Sequence, residues 1–214
     1  MTMIDKHRQI KYYEELFEKY GDNYLSLDWK SPDSQEKRFK ILTDLIDMYY
    51  GSKKTSVIDV GCGFGDLSNY LEKKGYKASY LGYDITPKIL DAAKSKYPKA
   101  KFELNDILED ENPKKADFVF CCGALNIVFD SREKHMQFIN SMLIRMFQLC
   151  NIAVGVNFLS YQAVYHLQDE ELNLAQYFYT RIEDILSCVR GMTSRFIIRH
   201  DYHPGDFTVY LMKK

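Results

Sequence analysis

The sequence predicts an α/β fold: a seven-stranded, mostly parallel sheet with helices on both faces, an antiparallel last strand and an N-terminal helical extension. Three observations carry this expectation. From Val57 onward, short apolar runs alternate with segments of helical periodicity, the pattern of parallel strands joined by crossover helices. The run from Ala116 to Cys122 is nearly all apolar, as a strand buried on both faces requires. The last two apolar runs are linked only by the turn from His200 to Asp206, so the final strand returns antiparallel to the one before it.

Each element has its own signal. Ile10, Tyr13, Phe17 and Tyr20 recur near helical spacing and predict a helix from about Ile4 to Tyr20, stopped by Gly21. Asp22 to Asp33 reads as a turn region that carries the only tryptophan, Trp29. Ser31-Pro-Asp-Ser34 reads as a helix start, and Phe39, Leu42, Ile46 and Tyr49 supply that helix with one apolar face up to Gly51. Residues 1–50 are therefore expected to form a helical cap and residues 51–214 the core.

Val57, Ile58 and Val60 make a first strand interrupted by Asp59, and Leu67, Tyr70 and Leu71 follow on one helical face. Ala78 to Tyr83 is the second strand, ending at Asp84; Pro87 opens the next helix, carrying Ile89, Leu90 and Ala93. Ala100 to Leu104 and Ala116 to Cys122 are the third and fourth strands. Met136, Ile139, Leu143 and Met146 define a helix from Ser131 to Leu149 that feeds a fifth strand, Asn151 to Val156. A last helix carries Ile182, Ile185, Leu186 and Val189 before strands Ser194 to Arg199 and Phe207 to Met212. Residues 157–179 are long for a connection, which makes them a candidate lid or substrate element.

Bulk properties narrow the partners. A chain of 214 residues fits one domain with a full-sized core. Its net charge of −1 supplies no global basic field, so no nucleic-acid partner is expected. No stretch approaches the roughly 20 apolar residues of a membrane span, and the first residues lack the apolar centre of a signal peptide. The five cysteines have no C-x-x-C spacing and read as buried thiols of a reducing compartment, so a cytoplasmic location is expected. The five histidines have no ligand spacing with each other or with carboxylates, so no metal site is expected.

The chemistry centres on Val57-Ile-Asp-Val-Gly-Cys-Gly-Phe-Gly-Asp66, a strand, a glycine turn and a helix start. Glycines at 61, 63 and 65 let the backbone turn tightly and approach a ligand. A dinucleotide fingerprint has its third glycine one residue later, and an acidic Asp66 at the helix start would repel a pyrophosphate. Asp59 instead suits a cationic ammonium or sulfonium. Asp84 ends the second strand, where a carboxylate accepts hydrogen bonds from both hydroxyls of a ribose. Asn105-Asp106-Ile107 offers a polar pair and an apolar side chain to an adenine ring. A ligand with adenine, ribose and a cationic tail but no phosphate is S-adenosylmethionine.

On these motifs, Val57 to about Phe129 resembles the class I S-adenosylmethionine-dependent methyltransferases, a Rossmann-like family. Its glycine-rich motif matches Val57 to Gly65, its ribose-binding acid Asp84, its adenine-side motif Asn105 to Ile107 and its post-strand-four motif Asp117 to Asn126. The resemblance implies cofactor contacts from Asp59, Gly61, Cys62, Gly63, Gly65, Asp84, Ile85, Asn105, Asp106, Ile107, Cys122 and Gly123. Gln35 and Arg38 would close over the cofactor carboxylate, although Arg38 also reads as a surface ion pair. More weakly, the flanks Trp29 to Phe39 and His200 to Thr208 resemble uncharacterised bacterial small-molecule-type members.

Catalytic candidates follow from the rule that ligands of open parallel sheets lie beyond the carboxyl ends of the strands. These are Asn157 and Tyr161 after the fifth strand, and His200 and His203 in the last turn. Each has a plainer reading: the histidines as ligands of their own turn, Asn157 as a backbone cap, Tyr161 as core. The expected partner is a small-molecule acceptor methylated on oxygen or nitrogen. The alternatives are a non-catalytic module that binds the cofactor or its product, and an enzyme acting on a protein. Nothing in the sequence bears on oligomeric state.

Overall fold

The structure, a computed structural model, describes residues 6–49, 54–128, 130–166 and 172–213. The expected helix start at Ile4, the Tyr50–Gly51 end of the second helix with its domain boundary, Phe129 and residues 167–171 of the candidate lid lie outside the described residues.

Five parallel strands form the centre of the sheet: β1 (Thr55–Val60), β2 (Ala78–Asp84), β3 (Lys101–Leu104), β4 (Ala116–Cys122) and β5 (Cys150–Leu159). The last two are β6 (Phe196–Arg199) and β7 (Asp206–Met212), and β7 runs antiparallel to both β5 and β6. Strand order is β3-β2-β1-β4-β5-β7-β6. The order reverses between β1 and β4, and the carboxyl ends of strands splay at such a switch point to open a crevice.

Helices cover both faces. Helix α2 (Pro32–Tyr49) and α3 (Asp66–Lys73) pack Phe39, Leu42, Leu45, Ile46, Leu67 and Leu71 onto Val57, Phe118, Phe120, Ala153 and Tyr210. On the other face, α5 (Arg132–Leu149) and α6 (Ile182–Val189) bury Ile139, Leu143, Met146, Ile185 and Val189 against Ile58, Val119, Val154, Val156 and Val209. The alternation along β1 and β4 thus serves two separate cores. Helix α4 (Pro87–Lys96) adds Leu90 and Ala93 to a smaller cluster with Cys62 and Phe102. Among the described residues, no helix is long and apolar enough to cross a membrane.

Three elements depart from the sequence reading for physical reasons. Helix α1 (Lys6–Tyr20) buries only Gln9, and Tyr20 is 37% exposed. Of its apolar stripe, Tyr13 lines a cavity and Phe17 meets the buried ring of Phe64 at 5.7 Å. Helix α2, expected as part of a cap, is a core helix whose Leu42, Leu45 and Ile46 are fully buried. Strand β5 continues three residues past Val156, because β7 pairs with it as far as Leu159 opposite Asp206. Asn157 therefore sits within a strand.

Candidate active site

Beyond the carboxyl ends of β1, β2, β4 and β5 lies a cavity of about 490 Å³. Its floor begins at the glycine turn. Gly61, Gly63 and Gly65 have φ of 70°, 54° and 76°, a left-handed backbone that side chains disfavour. Space is as decisive as conformation: a Cβ on Gly61 would stand 2.4 Å from the Ala124 Cβ, and one on Gly63 2.7 Å from Leu27. Gly65 differs. It is absent from the cavity wall, and its missing side chain makes room for the Phe102 ring, 2.4 Å from where a Cβ would be.

Asp84 braces this turn. One carboxylate oxygen accepts from the Gly63 backbone N–H at 2.9 Å and the other from the Thr86 N–H at 2.8 Å. The Thr86 hydroxyl and the Ile85 N–H also act on this carboxylate. Burial raises the Asp84 pKa, while the N–H bonds from Thr86 and Gly63 pull it back. Asp59 is only 3% exposed, and burial pushes its carboxyl up to about 7 despite a 2.8 Å hydrogen bond from the Tyr80 hydroxyl. A carboxylate so placed is starved of positive charge.

The far end is formed by Asn105, Asp106 and Ile107. Asn105 donates to Asp110 at 2.6 Å, and its Oδ1 is buried with no hydrogen-bond partner among the described residues. Asp106 accepts from the Leu108 N–H at 2.9 Å and pairs with Lys6 of α1. Ile85, Cys62, Cys122 and Gly123 also line the wall. Burial raises the pKa of Cys62 and of Cys122, so neither presents a thiolate.

The roof comes from the N-terminal segment. A 3-10 turn, Tyr24–Leu27, precedes Asp28, held at φ 62°, and Trp29, which closes over Gly123. Asp28 accepts hydrogen bonds from Tyr12, Gln176 and Tyr177, tying α1 to the chain that follows β5. Gln35 and Arg38 of α2 complete the roof. Arg38 is buried and paired with Asp206, so it is no surface ion pair, and its Nε has no hydrogen-bond partner among the described residues.

At the β5–β7 end, Asn157 is 1% exposed and donates to the Tyr202 hydroxyl at 2.9 Å. His203 lines the cavity, with Nδ1 3.0 Å from both the Gly205 nitrogen and a carboxylate oxygen of Asp206. His200 and Tyr161 are not on the wall. His200 lies 3.3 Å from the Pro204 carbonyl, and Tyr161 packs under the Arg181 guanidinium at 4.6 Å. Sequence reasoning did not select Asp28, Tyr13 or Asp206 as site residues. Only Asp206 had a usable signal, its place three residues after His203 in the same turn.

Comparison with known proteins agrees with this geometry. Residues 57–144 match the methyltransferase domain family. That match covers the cofactor-side stretch of the chain and points to a class I S-adenosylmethionine-dependent methyltransferase. The chain is 25% identical over 165 residues to a Mycobacterium tuberculosis protein described as a methyltransferase, covering 74% of this chain and 93% of that one. The chain spans about a third to a half of the next curated relatives it matches. Magnesium protoporphyrin IX methyltransferase from Synechocystis, solved with bound S-adenosylmethionine, superposes with a TM-score of 0.67 at 17% identity over 100% of this chain and 99% of that one. A small RNA methyltransferase superposes at 0.62 with 18% identity, over 86% of this chain and 26% of that one.

The cavity fits S-adenosylmethionine on its own terms. Gly61, Gly63 and Asp84 line it, and Asn105 and Arg38 each leave one buried polar atom for a ligand.

Proposed function

We propose that the enzyme transfers a methyl group to an oxygen or nitrogen of a small molecule held at the β5–β7 end of the cavity. The observation that carries this reading is the roof. Trp29, Leu27, Tyr13 and Arg38 close over the glycine turn, and the cavity, at about 490 Å³, is of the size that takes cofactor-scale ligands. A duplex or a folded protein would need an open groove.

In this reading Asp59 pairs with the cationic end of the cofactor, Asp84 holds the ribose, and Asn105, Asp106 and Ile107 flank the adenine. Gln35 and the Arg38 Nε meet the carboxylate. When bound, S-adenosylmethionine supplies a methyl group already activated by its sulfonium, so the protein's tasks are alignment and exclusion of water. Asn157 helps shape the acceptor end, and His203 is the candidate base. Helix α1 and the 3-10 turn act as a cap, and Leu159, Tyr177 and Tyr179 supply the facing wall.

Two measurements test this. Calorimetry should detect S-adenosylmethionine and its demethylated product but not NAD. Incubation with a metabolite library should release S-adenosylhomocysteine with a small acceptor. Turnover confined to RNA or protein fractions would refute the acceptor class.

A further inference from the structure

One contact at the β5–β7 end is chemically over-subscribed. The His203 Nδ1 lies 3.0 Å from the Gly205 nitrogen, which must donate, and 3.0 Å from Asp206 Oδ2, which must accept. A neutral imidazole nitrogen has either a proton or a lone pair in that plane, so it cannot serve both. If Nδ1 is bare, it satisfies Gly205 but sets a lone pair against a carboxylate. If it is protonated, it donates to Asp206.

The surroundings favour the second arrangement. Asp206 is 1% exposed and is paired with Arg38, which is itself 6% exposed. A buried carboxylate beside Nδ1 fixes that tautomer and stabilises the imidazolium. Other titratable groups near the pair are Cys122 at the end of β4 and Tyr202 in the turn, both kept protonated by burial, and β5 contributes the neutral Asn157. Asp201 is turned away to Arg199 at 2.7 Å.

We propose that Asp206 is a positioning residue that holds the Nδ1 proton of His203, so that Nε2 takes the proton of a hydroxyl acceptor during methyl transfer. This rests on the methyltransferase reading of the cavity. The acceptor oxygen forms the O–CH3 bond with a lone pair while the S–CH3 bond breaks and its electrons remain on sulfur. The hydroxyl proton passes to Nε2, and the resulting imidazolium keeps its Nδ1–H on Asp206. A carboxylate acceptor arrives without a proton and needs no such base. Arg38 on α2 thereby links the cofactor roof to the acceptor end: its Nη2 holds Asp206.

The test reads the imidazole directly. Ring nitrogen-15 spectra of the full-length protein with S-adenosylhomocysteine, assigned with His203→Gln, report the tautomer. Wild type is expected as Nδ1–H. Asp206→Asn should shift His203 toward Nε2–H and weaken its proton affinity about tenfold, the lower end of what loss of an adjacent charge does. Because that variant leaves Arg38 unpaired in the interior, the double variant Arg38→Met/Asp206→Leu provides the same readout without a buried charge. An Nε2–H wild type, or a tautomer unmoved in the double variant, would overturn the proposal and leave His203 as a ligand of its own turn. Turnover of the library should give O-methyl ethers, and His203→Gln should slow it about a hundredfold or more. A methyl ester or N-methyl product would overturn the acceptor class. The tautomer measurement needs no acceptor, so it decides the pair whatever the library yields. Failure of the wild type to bind S-adenosylmethionine would instead refute the cofactor reading.

Discussion

Asp59→Asn should make the ligand-free protein more stable and the enzyme worse. Asp59 is 3% exposed, and burial pushes its carboxyl up to about 7 from an ordinary 3.8. A group whose folded-state pKa is raised binds its proton more tightly in the native state. For a carboxyl, stability therefore falls as pH rises from about 4 through 7 and levels above that. The gap of about three pH units sets an upper bound of about 4 kcal/mol on what ionised Asp59 costs the empty fold at pH 8. Asparagine mimics the protonated carboxyl in size and still accepts from the Tyr80 hydroxyl, now at 2.8 Å.

Thermal unfolding of both proteins without ligand, at pH 5 and pH 8, checks this. At roughly 2–4 °C per kcal/mol for this size, the variant should melt on the order of 5–10 °C higher at pH 8, with the difference shrinking toward pH 5. Calorimetry should show the reverse for function. Wild-type affinity for S-adenosylmethionine should weaken below about pH 7 as Asp59 protonates, up to about tenfold per unit, whereas the variant should bind weakly at every pH. Asp84 also carries a raised pKa, so only the difference between the two proteins isolates Asp59. A variant no more stable than wild type at pH 8, or one that binds the cofactor as tightly, would refute the reasoning.

The remaining predictions concern the walls of the same cavity. Gly61→Ala places a methyl 2.4 Å from Ala124 on a backbone at φ 70°, and should abolish measurable cofactor binding by calorimetry. Asp84→Ala removes the proposed ribose acceptor together with the anchors for the Gly63 and Thr86 N–H groups; it should cost at least about 1 kcal/mol in cofactor affinity and lower the melting temperature. Asp28→Ala cuts the hydrogen bonds from Tyr12, Gln176 and Tyr177 that hold the roof, and stopped-flow fluorescence of Trp29 should show faster cofactor release.

Much of the fold was legible because its signals are local. The apolar run Ala116 to Cys122 forms β4 at those bounds, and the alternation after Val57 forms the parallel sheet. The periodicity of Ile10, Tyr13 and Phe17 records an apolar face on α1 without saying what receives it, and Tyr13 lines the cavity. The β5 end was short by three residues because β7, nearly fifty positions later, supplies the partner that extends it.

The chain order of Asp59, the early third glycine, Asp84 and Asn105 to Ile107 by itself pointed to a sulfonium-nucleoside site, since adjacent residues on successive strand ends must meet at one sheet edge. Only the tertiary structure decided which polar groups share the acceptor end. Arg38, Asn157, His203 and Asp206 converge from a helix, a strand and a turn that no local pattern relates. Their chemistry depends on burial and on a partner up to 168 positions away, as in the Arg38–Asp206 pair, and both are set by packing.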